Sequence, residues 1–165
     1  MPIDHACIAA SGPTLRDCHV LAKRFERGAR SGDGKWESLL VQSLDGTLSG
    51  RRRGGYMDLW RAPNGTVHAV LDDEISWCPN AATGANDWQS QPSQGVVWHV
   101  DGVADDLVFA YGPSEVAHRW DGSGWVCEPS PPHLKHMHGS SPDLVFGGGA
   151  TAFLGRYLAL CLNQI

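Results

Sequence analysis

VWHVDGVADDLVFAYGPSEVAHRW, Val97 to Trp120, is followed at an offset of 37 residues by LKHMHGSSPDLVFGGGATAFLGRY, Leu134 to Tyr157, with no gap between the two. His99, Gly102, Asp106, Leu107, Val108, Phe109, Gly112 and Arg119 meet identical residues at His136, Gly139, Asp143, Leu144, Val145, Phe146, Gly149 and Arg156, and Trp120 meets Tyr157. Chance would supply roughly one or two such identities, so the offset reads as a structural period. Within the first copy, short apolar or alternating runs (Val96 to Val100, Leu107 to Tyr111, Glu115 to Trp120, Gly124 to Cys127) are separated by Gly, Pro, Asp and Ser. That pattern predicts four short strands, with Asp121-Gly122 as a favoured hairpin turn.

Two weaker copies precede it. Met57 to Ala62, Thr66 to Leu71, Glu74 to Cys78 and Asp87 to Gln91 keep the strand rhythm, and Trp88 stands 37 residues before Trp125. Asp17 and Trp36, each 89 residues before Asp106 and Trp125, suggest a further copy with strands at Cys7 to Ala10 and Cys18 to Ala22. A helix over Thr14 to Arg27 competes with it. Thr14-x-x-Asp17 has the form of a capping box, Leu15, Cys18, Ala22 and Phe25 recur at helical spacing, and Gly28 would suit the stop. Leu44 to Gly55 lacks apolar periodicity and carries Arg51-Arg52-Arg53 between glycines, which predicts a flexible basic linker.

The expected fold is therefore all-β, a propeller-like array of three to four four-stranded blades in one domain, with one N-terminal helix or none. The expected repeats span about 3–43, 56–95, 96–132 and 133–165. The second half resembles the blades of bacterial β-propeller proteins whose repeats read roughly G-x-x-x-D-hydrophobic-F-A-x-G and then W-D-G-x-x-W. Here these are Gly102 to Gly112 and Trp120-Asp121-Gly122-Ser123-Gly124-Trp125. The resemblance covers residues 96–165 well and 56–95 loosely, and it marks a blade more than an activity. The last copy departs from it, with Tyr157-Leu158-Ala159-Leu160-Cys161 where the motif has its tryptophan turn. Its outer strand is then irregular or supplied from elsewhere, for instance by His5 to Ala10. Phe109 and Phe146 should be buried at corresponding places.

Charge is unevenly distributed: residues 1–55 carry net +3 and residues 56–165 net −8. Phosphate binding needs a positive face, so the larger part is a poor partner for nucleic acid. No run approaches the roughly 20 apolar residues of a membrane span, and no export signal is read at the start. Five scattered cysteines without a C-x-x-C pair indicate neither a disulfide framework nor a zinc knuckle, which fits a cytoplasmic setting.

Three sets of candidate residues follow. The turns carrying Asp72, Asp73, Glu74, Asp105, Asp106 and Glu115 are acidic, and no Lys or Arg lies between Arg61 and Arg119 to neutralise them. Such turns would attract a basic protein partner. Trp120 and Trp125 form the second set, because their hairpin also resembles a segment of small fucose-binding propeller lectins. That resemblance implies an Arg and a Glu clamp on the sugar, but Val108 and Ala117 stand near those positions here. The third set is His99, Asp101, His136 and His138, which strand alternation and the 37-residue offset would bring together on innermost strands as imidazole and carboxylate metal ligands.

No G-x-S-x-G elbow, phosphate loop or H-E-x-x-H occurs, so no catalytic residue and no cofactor are expected. The leading expectation is a non-catalytic protein-binding module, of the profile of a bacterial adaptor or an immunity protein that occludes a toxin, and one that could also associate with itself. A carbohydrate-binding module is the alternative.

Overall fold

A computed structural model describes residues 3–26, 36–44, 47–71, 73–81, 87–130, 133–141, 144–149 and 154–157. The chain is all-β, with fifteen strands in four separate antiparallel sheets and no α-helix among the described residues. The first sheet runs β1 (Ile3–Thr14), β2 (Asp17–Glu26), β3 (Trp36–Leu44), β4 (Thr47–Gly54). The second is β5 (Asp58–Arg61), β6 (Val67–Val70), β7 (Glu74–Cys78), β8 (Gln89–Pro92). The third is β9 (His99–Ala104), β10 (Leu107–Tyr111), β11 (Val116–Trp120), β12 (Trp125–Pro129). Among the described residues the fourth has three strands, β13 (Leu134–Ser141), β14 (Leu144–Gly149) and β15 (Leu154–Tyr157). Each sheet is a meander in chain order, as short strands joined by tight turns require.

In the N-terminal part the strand reading holds over the helix, with Cys7 to Ala10 in β1 and Cys18 to Ala22 in β2, and the linker expectation is corrected. Asp17 to Glu26 is a strand, β2, paired with β1 and, from Asp17 to Phe25, with β3; Arg27 lies outside the described residues. The Thr14 hydroxyl does accept the Asp17 N–H at 3.1 Å, but the bond closes the β1–β2 turn instead of capping a helix. Leu15, which a helix would have placed on its apolar stripe, is 88% exposed at the tip of that turn. The segment expected as a linker, 44–55, holds β4, whose Leu48 to Gly54 pair with Ser43 to Ser38 of β3. An edge strand is held by main-chain hydrogen bonds along one side only, so it needs no apolar alternation to form. His5 to Ala10 do not complete the fourth sheet; they belong to β1 and pair with β2.

Register agrees between the third and fourth sheets. Val108 opposes Gly102 and Trp120, and Val145, 37 residues on, opposes Gly139 and Tyr157. Phe109 opposes Asp101 and Arg119, as Phe146 opposes His138 and Arg156. A Cβ on Gly112 would lie 2.5 Å from the Val96 carbonyl oxygen, and one on Gly149 would lie 2.5 Å from that of His133. Both glycines thus admit the chain entering the first strand of their own sheet.

The core lies between successive sheets. First strands follow one another in space, β1 against β5, β5 against β9 and β9 against β13. Leu21 and Leu40 of the first sheet pack with Leu59 and Ala69 of the second. Val70 and Ile75 pack with Val108, Ala110 and Trp120 of the third, whose opposite side, Phe109 and Tyr111, packs with Leu134, Met137 and Val145 of the fourth. Phe109 is therefore 2% exposed, whereas Phe146 is 38% exposed, contrary to expectation. The reason is positional: Phe146 stands on the side of the fourth sheet turned away from the third.

Candidate functional site

First strands bring polar residues together along one line. Asp58 of β5 accepts the Val100 N–H at 3.2 Å and lies 3.5 Å from His99 Nδ1, both on β9. Asp101, two residues on, accepts the Gly102 N–H at 2.8 Å. Burial pushes its pKa up, the Gly102 N–H and nearby His138 oppose that shift, and Asp58 adds to it. The cleft beside it, bounded by Asp101, Phe109, Met137 and His138, measures about 10 Å³, room for roughly one water. Among the described residues no group of three or more His, Cys, Asp or Glu side chains could hold a metal ion. Of the residues expected as metal ligands, His99 lies 3.5 Å from Asp58, and His136 and His138 are exposed on β13, His138 beside the Asp101 cleft.

The tryptophan hairpin is a structural corner. Asp121 accepts hydrogen bonds from the Ser123 N–H, the Ser123 hydroxyl and the Gly124 N–H at 2.8–3.0 Å, which together hold its carboxyl below the usual carboxylate range. Trp120 and Trp125 oppose each other in register and are 7% and 6% exposed. They enclose His68, with ring centroids 5.3 and 5.4 Å from it, while Trp77 lies 5.2 Å from Trp120. These rings fill the junction of the second and third sheets, and little of Trp120 or Trp125 is open to solvent. Burial lowers the His68 pKa to about 3, so the imidazole is neutral near pH 7.

The acidic residues divide between the two ends of the sheets. Asp105 and Asp106 occupy the β9–β10 turn, where Asp105 accepts the Asn64 N–H at 2.8 Å from the β5–β6 turn of the neighbouring sheet. Asp105 thus ties two sheets together. Asp73 and Glu115 are exposed in the β6–β7 and β10–β11 turns at the other end. The connection from the second to the third sheet runs between them: Ser93 N–H donates to the Asp73 carbonyl at 2.9 Å, and Val96 N–H to the Ser114 hydroxyl at 2.8 Å. Glu74 accepts a hydrogen bond from the Ser76 hydroxyl at 2.9 Å. Asp72 lies outside the described residues. Asp73, Glu74 and Glu115 therefore border one rim.

Sequence reading missed Asp58, His68 and Tyr111, since the role of each depends on a neighbouring sheet; Tyr111 stands at the one unspecified position before Gly112 in the blade motif. No family model matches the chain, and no curated protein matches it. No helix among the described residues is long and apolar enough to cross a membrane.

Proposed function

We propose that this chain is a non-catalytic protein-binding module whose sheets are arranged as blades of a propeller-like array, and that its acidic rim receives a basic surface of another protein. The observation that carries the reading is the exposure of Asp73 and Glu115 on adjacent sheets, flanking one connection, in a stretch with no Lys or Arg between Arg61 and Arg119. Carboxylates grouped on one rim raise the local concentration of a cationic partner and speed its encounter. The succession of first strands from β1 to β13 supports the blade arrangement. A role as adaptor or as an immunity protein that occludes a toxin is compatible with such a rim, and fold alone does not choose between them.

A photo-crosslinking residue at Glu115 in the native host would capture the partner. With the purified partner, Asp72→Asn, Asp73→Asn, Glu74→Gln and Glu115→Gln together should slow association several-fold at low salt and much less at high salt. An unchanged association rate at every ionic strength would remove the rim from the interface. A glycan bound with no protein partner would put the carbohydrate reading first.

A further inference from the structure

The three junctions inside the chain are built alike. In each, a backbone N–H of the later sheet's first strand reaches a side-chain oxygen of the sheet before it: Arg61 N–H to Ser11 Oγ at 2.8 Å, Val100 N–H to Asp58 Oδ2 at 3.2 Å, and Met137 N–H to Tyr111 Oη at 3.0 Å. In each, apolar residues from the two facing sides close over one another. The junction has two different halves. Every internal sheet offers one half forward and the other backward.

Among the described residues, each end sheet leaves the apolar side of one such junction open. On the fourth sheet, Val145 and Met137 face the third sheet, while Leu144 and Phe146 are 36% and 38% exposed on the opposite side. On the first sheet, Leu21 and Leu40 face the second; their sequence neighbours Val20, Ala22, Leu39 and Val41 are register partners of one another, Val20 with Val41 and Ala22 with Leu39. Strand alternation puts those four on the outer side, where all are only partly buried. Ile8 of β1 adds 39% exposure, and the rim pair Arg24–Glu37, at 2.8 Å, is neutral within itself. The outer side of the fourth sheet corresponds to the side on which the third sheet receives the fourth, and the outer side of the first sheet to the side each later sheet turns backward.

We infer that two copies of this chain associate head to tail, the outer side of the fourth sheet in each copy seating on the outer side of the first sheet in the other. Continuity with the internal junctions identifies the occupant: the face that fits the open half is the half already repeated along the chain, and a second copy supplies it at both ends. Two such contacts related by a two-fold axis close the array and leave neither half uncovered. The inference rests on the blade arrangement proposed above and not on the acidic rim, so the oligomeric state and salt-dependent partner binding are separate readouts.

Light scattering on the full chain from low to high micromolar concentration tests it, with a mass of two chains expected. Phe146→Glu and Val41→Glu should each give a folded monomer, and mixing these two variants should restore a dimer, because one intact junction remains. Urea titration reports whether Val41→Glu folds; if it does not, Ala22→Glu, on the same outer side, takes its place. A wild-type monomer throughout the range would overturn the inference. So would a first-sheet variant that folds and stays dimeric, since it implies a contact between fourth sheets alone, and so would open-ended growth into filaments.

Discussion

The Trp60 ring of β5 lies against Gly102 of β9, so close that a Cβ there would come within 2.7 Å of the ring edge. Gly139, 37 residues on, stands in the same relation to Val103 of β9, whose side-chain carbon would overlap its would-be Cβ. In both cases a glycine on one first strand receives an apolar side chain from the first strand before it. Gly102→Ala and Gly139→Ala should each destabilise by about 1–3 kcal/mol through overpacking. Gly124→Ala, where a Cβ would meet nothing within 4 Å, serves as the control. Urea midpoints check the ranking, and equal midpoints for all three would contradict it.

Phe109 and Phe146 share a register position but not an environment. Phe109→Ala opens the junction between the third and fourth sheets and should cost about 3–5 kcal/mol. Phe146→Ala removes a partly exposed ring and should cost much less at concentrations where the chain is monomeric. Chemical denaturation of the two variants under identical conditions measures the difference.

Tyr111 is buried, its phenol pushed up to about 12 by that burial, and it accepts the Met137 N–H. Tyr111→Phe keeps the ring and strands the amide. The expected loss is about 1–3 kcal/mol, the usual penalty for a buried donor without a partner. Hydrogen exchange should show Met137 losing protection ahead of its neighbours.

Burial lowers the pKa of His68 to about 3 and that of His19 to about 4, where Arg61 adds to the effect. Burial also lowers His118. Below the ordinary histidine value of about 6.5 the unfolded chain therefore binds protons that the folded chain does not. Stability is full above that pH and falls as pH drops toward 3, with a limiting slope of about 1.4 kcal/mol per pH unit for each such histidine. His68→Phe should flatten the loss between pH 7 and 5, as read from urea midpoints at each pH. An unchanged slope would show that other groups dominate acid unfolding.

The strand rhythm, the turn chemistry and the 37-residue offset lie within the chain itself, because period-two alternation and Gly or Asp turns act over a few residues. From them the all-β class and most strands of the second and third sheets were legible, Glu74–Cys78 to the residue. The N-terminal strands were less so. Thr14 and Asp17 make the same local hydrogen bond in a hairpin turn as at a helix start, and only pairing with β1 and β3 decides between the two. Likewise Leu48 to Gly54 carries no strand pattern, and its conformation comes from the β3 edge it covers. Tertiary structure alone decided that Trp120 and Trp125 enclose His68, that Asp105 braces a neighbouring turn while Asp73 and Glu115 border one rim, and that Phe146 is open where Phe109 is closed. Identical residues at identical register positions differ there because burial is set by the sheet that comes next, and sequence at one position carries no record of its neighbour in space.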